Sequence, residues 1–118
     1  MTEERKLIIE LIKIFEITDV DFLGFSITKD NPIQYHHIVF KEKGGKTTLD
    51  NGALLTAKAH FIFHKIVRNN YILSKKITRE FKKLNESKTP PDEKYFETIN
   101  NYLLIYEEKN KITRKRVK

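Results

Sequence analysis

The chain has 118 residues, 23 lysines and arginines against 16 aspartates and glutamates, a formal net charge of +7 and no cysteine. That length suits one small domain rather than two. Without cysteine there are no disulfides and no thiolate metal sites, so a transition-metal site must be built from histidine and carboxylate.

The first predicted element is a helix over 3–17, where Leu7, Ile8, Leu11, Ile12, Ile14 and Phe15 repeat at the spacing of one apolar face. Thr2 can cap it, and Glu3 and Glu4 suit its N-terminus. No apolar run approaches bilayer length, and "MTEERKLIIELIKIF" lacks the basic start and continuous apolar stretch of a signal peptide, so a cytoplasmic protein is expected. "DFLGFSIT" alternates and reads as extended, and "KDNP" then breaks the chain. "IQYHHIVF" is rich in β-branched and aromatic residues and predicts a strand. "KEKGGKTTLDNG" is a loop or a broad hairpin connection, and "ALLT" a second short strand. Thr56 can cap a helix over "AKAHFIFHKIVRNN". A further helix is expected over Ile72–Leu84, with Ile77, Phe81 and Leu84 on one face. Thr89 followed by Pro90 and Pro91 signals the start of a last helix. That helix carries Tyr95, Phe96, Ile99, Tyr102, Leu103 and Tyr106, a stripe that reads as core. The predicted class is α+β: two short strands and a helix, flanked by helices at 3–17 and 72–107 in a single domain over 1–108, with a basic, flexible tail at 109–118.

All four histidines fall between positions 36 and 64. His60 and His64 are four apart, so on a helix they share a face and can converge on one ion. His36 and His37 are neighbours on a strand and point to opposite faces. One of them could join the helical pair on a metal while the other faces a substrate. Three imidazoles and one open position make a usual catalytic metal site. An unmetallated fourth histidine titrates near neutrality and can serve as a general base. Taken singly, each of these features also has an ordinary reading: solvated helix histidines, or Asn51-Gly52 as a simple turn.

"HHIVFKEKGGKTTLDNGALLTAKAHFIFH" resembles the HNH, or ββα-metal (His-Me finger), endonuclease motif, close to its colicin-DNase-like variant, and is similar to small stand-alone bacterial HNH proteins. The resemblance, over 35–68, implies a core of two antiparallel strands and a helix. It implies His36, His60 and His64 as ligands of one divalent metal, with Mg, Mn, Ni, Co and Zn all open. It implies His37 as the general base and Asn51 as the residue that holds the loop by side-chain bonds to backbone. Gly44 and Gly45 would allow positive φ and close approach to phosphate. Lys65 and Arg68 are candidate phosphate contacts. The implied activity is hydrolysis of phosphodiester bonds in DNA to 5′-phosphate and 3′-hydroxyl products, in a bacterial or phage cytoplasm. The chain departs from the family pattern at Phe40, where many members have proline, and in having no flanking cysteine pairs.

Charge follows the histidines. Residues 54–83 hold eight basic side chains and a single acid, Glu80, and the last ten residues hold six and none, whereas residues 1–30 are acidic on balance. That asymmetry suits a polyanion on one side of the molecule, with nucleic acid, DNA before RNA, as the expected partner. The rival expectation is a non-catalytic nucleic-acid-binding or accessory protein on the same scaffold. A third is a structural metal domain, which would need four protein ligands on the ion.

Overall fold

In the computed structural model, which describes residues 1–117 and the side chains of residues 1–109, the Thr2 hydroxyl accepts from the Arg5 amide at 3.1 Å and starts α1 (Glu3–Phe15). Glu3 and Glu4 lie at its positive end. The helix stops where Glu16 turns left-handed at φ 49°, and the Ile17 amide folds back on the Ile12 carbonyl at 3.0 Å. It therefore ends two residues short of the predicted 17.

The segment expected to be extended, "DFLGFSIT", is a folded loop with only single bridges, Val20 to Ser26 and Thr28 to Asn31. The physical reason is Asp21, whose side chain is fully buried. One carboxylate oxygen accepts from the Leu23 and Phe25 amides at 2.8 and 2.9 Å, and the other from the Thr56 amide at 2.7 Å. A buried carboxylate is tolerated only when so bonded, and the three amides wrap the chain around it. Gly24, at φ 85°, makes the turn.

β1 (Ile33–His37) and β2 (Gly52–Thr56) form a two-stranded antiparallel sheet in which His36 lies opposite Ala53 and His37 opposite Gly52. β1 is shorter than the predicted 33–40. α2 (Ala57–Asn69) is capped by the Thr56 hydroxyl, which accepts from the Ala59 amide at 3.2 Å. Asn70 caps α3 (Tyr71–Ser87) in the same way through the Leu73 amide. α4 (Glu93–Val117) starts later than Thr89-Pro90-Pro91 predicts, because the cap is the Asp92 carboxylate, which accepts from the Tyr95 amide at 2.8 Å.

The architecture is α+β, with four helices and one sheet. α1 covers the Tyr35 side of the sheet: the Tyr35 ring and Leu11 close over Gly52, where a Cβ would lie 2.7 and 2.8 Å from their carbons. α2 and α3 cover the His36 side, where the His36 ring packs against Phe63 and Phe81 with centroids 5.0 and 5.8 Å apart. β2 is buried along its whole length, so Ala53, Leu54 and Leu55 are a continuous apolar run rather than an alternating one. Phe15, Phe22, Phe81 and Phe63 run as a chain of ring contacts through the core, with Ile99 and Tyr106 of α4 closing one side. Among the described residues no helix is long and apolar enough to cross a membrane. Apart from Lys109, the side chains of the expected basic tail, 109–118, lie outside the described residues.

Candidate metal centre

Strand geometry splits the histidine pair. His36 points into the α2–α3 side and is 2% exposed, while His37 stands on the other face with the Tyr35 ring edge-on at 4.8 Å. His60 and His64, one helical turn apart on α2, face His36, and one ring nitrogen from each of the three lies within 4.8 Å of the others. His36, His37, Phe40, Lys41, Glu42, His60 and His64 line a single cleft of about 280 Å³. Thus the strand places one imidazole with the helical pair and the next at the rim of the same cleft.

The three-imidazole set fits a divalent metal on two observations. The His36 Nε2 is buried and has no hydrogen-bond partner among the described residues, an uncommon state for a buried ring nitrogen and one that a metal would relieve. The His60 Nδ1 meets the Gln34 side-chain oxygen at 2.9 Å, which holds a proton on Nδ1 and turns Nε2 outward as a lone pair. Burial, then repulsion from His60, His64 and His37, holds the His36 imidazole well below the ordinary histidine value. Burial, then His64 and His37, lowers His60. Both rings are therefore neutral at pH 7, the form that ligates metal.

Loop 38–51 is tied down by Asn51. Its side-chain oxygen accepts from the Val39 amide at 2.8 Å, and its amide nitrogen donates to the Val39 and Lys46 carbonyls at 3.0 and 2.9 Å. A second asparagine, Asn85 on α3, donates to the Leu49 and Gly52 carbonyls at 2.9 and 2.7 Å on either side of Asn51. Tyr35 exchanges hydrogen bonds with Thr48, donating to its carbonyl at 2.7 Å and accepting from its amide at 3.1 Å. The loop so fixed presents the Thr47 hydroxyl to the His37 Nε2 at 2.9 Å. That leaves Nδ1 as the His37 nitrogen with no protein partner among the described residues.

The two loop glycines do different work. Gly44 adopts φ 90° at the end of the short 3₁₀ turn Lys41–Lys43, as expected of glycine. Gly45 does not share that conformation. It is glycine because a Cβ there would collide with the Val39 carbonyl, so the close approach is to the chain's own backbone. Lys65 and Arg68 do not line the histidine cleft, and the Lys65 ammonium sits over the Phe61 ring at 5.3 Å. The cation that does line it is Lys41, with Glu42 beside it. Phe40 has φ −58°, a value proline also holds, and its ring lies 6.0 Å from His36 and 5.9 Å from His64.

Sequence reasoning missed Gln34, Thr47, Asn85, Lys41 and Glu42. Gln34 had a signal: it is two residues from His36 on the same strand face. The others sit in loops or on a distant helix and carry no pattern. No family model matches the chain, and no curated protein or solved structure matches it, so the reading of the site rests on its own geometry.

Proposed function

We propose that the protein is a metal-dependent endonuclease of the HNH type, with β1, β2 and α2 as its ββα finger, hydrolysing phosphodiester bonds in DNA. The observation that carries the reading is the pairing of an unsatisfied buried nitrogen, His36 Nε2, with two converging helical imidazoles in a cleft whose rim holds a differently oriented fourth histidine. His36, His60 and His64 would hold one divalent ion. When bound, that ion supplies a positive charge for the scissile phosphate and the leaving oxygen.

The chain's own groups do the rest. In the tautomer protonated at Nε2, His37 donates that hydrogen bond to the Thr47 hydroxyl, and Nδ1 is then the nitrogen that accepts a proton from water. The water oxygen bonds to phosphorus as the P–O3′ bond breaks, leaving a 5′-phosphate. The 3′-oxygen takes a proton from solvent and leaves as a hydroxyl. Asn51 keeps the loop that carries Thr47 at a fixed distance from β1, so the base is aimed before substrate arrives. Lys41 adds a cation at the cleft for the anionic substrate.

The test is nicking of supercoiled plasmid by the purified chain with Mg²⁺, Mn²⁺ or Ni²⁺, repeated with chelator and with His37→Ala. Cleavage that needs metal and falls by about 10²-fold or more without His37, the usual scale for a lost general base, supports the reading. Nicking undiminished in His37→Ala overturns the mechanism, and binding of DNA with no cleavage under any metal favours a non-catalytic binding protein.

A further inference from the structure

Beside the histidine cleft lies a second groove of about 190 Å³, between the exit of β1 and the start of α3, lined by Phe40, Lys43, Tyr71, Lys75 and Thr78 among others. We propose that this groove binds the backbone of a single nucleic-acid strand next to the phosphate held in the cleft. The inference takes its ligand class from the function proposed above.

Three observations support it. The groove gathers donors for an anion: Lys43 donates to the Tyr71 hydroxyl oxygen at 3.1 Å, which leaves the Tyr71 O–H as a donor of its own. The Lys43 and Lys75 ammonium groups lie 5.4 and 5.6 Å from the centre of the same ring, so one exposed tyrosine holds two cations together. No carboxylate lines the groove, and neither lysine is paired with one among the described residues. The positive end of α3 begins at Tyr71 and adds the same sign.

The second observation is continuity. Phe40 lines both the cleft and the groove, and the turn after it sends Lys41 to the first and Lys43 to the second. A strand whose phosphate sits at the histidines and crosses Phe40 meets Lys43 next.

The third is the state of Tyr71. It is 47% exposed, held by Lys43 and Lys75 rather than by the core. The hydrogen bond from Lys43 and its charge pull the hydroxyl below the ordinary tyrosine value, making it a better donor. An exposed aromatic ring between cations suits a base or sugar as well as the phosphates.

The experiment is binding of a fluorescent 12-nucleotide single strand to the full chain in chelator, followed by anisotropy over a salt series. Three proteins are compared: the parent, Lys43→Gln/Lys75→Gln, and Lys6→Gln/Lys13→Gln on α1, which removes the same charge elsewhere. Single-strand binding carries a salt slope of about 0.7 per phosphate contact, so losing two contacts lowers the slope by about 1.4 and the affinity by about 25-fold at 0.1 M salt. The α1 pair should change both much less. The proposal is overturned if the parent does not bind, or if the two double variants weaken binding alike. Because the assay contains no metal, its result is separable from the nicking assay. No nicking under any metal, with binding intact in the parent and weakened in Lys43→Gln/Lys75→Gln, would remove the nuclease reading and leave a binding groove. Normal nicking with unaltered binding by Lys43→Gln/Lys75→Gln would remove the groove and leave the nuclease.

Discussion

Replacing Asn51 tests the scaffold that aims His37. The side chain makes three hydrogen bonds at 2.8 to 3.0 Å, one accepted from Val39 and two donated to Val39 and Lys46. Each contributes about 1 kcal/mol net. The site is half-buried, so water can reach some of the groups left behind, and Asn51→Ala should cost about 2–3 kcal/mol. Asn51→Asp is the sharper variant. A carboxylate can still accept from the Val39 amide, but it has no proton for the two carbonyls and turns a negative oxygen toward them. Its loss should equal or exceed that of alanine despite near-identical shape. The assay is urea unfolding followed by circular dichroism. With a slope of about 1.5 kcal/mol per molar, the midpoint falls by about 1.5 M or more while the slope is unchanged. If both variants unfold within 0.5 kcal/mol of the parent, a small surface-like effect, the clamp does not hold the loop and the argument for an aimed His37 fails.

Stability without metal should fall in acid. The fold keeps His36 neutral well below the ordinary 6.5, whereas the unfolded chain takes up its proton near that value. The contribution is therefore complete above about pH 6.5 and is lost as pH falls, at up to about 1.4 kcal/mol per pH unit for this group. The urea midpoint in chelator should drop from pH 7 to 5, and His36→Leu should flatten that drop; a parallel fall in both proteins would assign it elsewhere. Thr47→Val should lower nicking by about tenfold or more with little change in unfolding midpoint, and Thr47→Ser should restore it; equal loss in serine and valine variants would remove the hydroxyl from the account. Gly52→Ala pushes a methyl into the Tyr35 ring and Leu11, and should destabilise by about 1–3 kcal/mol although its backbone is extended and unstrained; an unchanged melting curve would show that these side chains yield freely.

The helices were legible because their apolar residues recur at helical spacing and their caps are local. Thr2 and Thr56 lie next to the helices they cap, so composition and position suffice to find them. The opposed directions of His36 and His37 were legible for the same reason, since alternation along a strand needs no partner. Asp21 was not legible. Its role depends on Thr56, 35 positions away, and an isolated aspartate before an alternating stretch looks like a surface residue. The late start of α4 was missed because the proline pair outweighed Asp92, whose carboxylate decides the boundary. Gly52 read as half of a turn, yet it is glycine because the Tyr35 ring and Leu11 lie over it. Thr47 and Asn85 act through the folded loop, and no periodicity marks them.

The central claim is that the adjacent histidines have separate tasks, and a crystal soaked in Ni²⁺ or Zn²⁺, with data collected at the metal's absorption edge, tests it most directly. The account predicts one ion on His36, His60 and His64 with a position left open, and His37 off the ion with Nε2 still on Thr47. An ion bound by both His36 and His37, or one enclosed by four protein ligands, would contradict it.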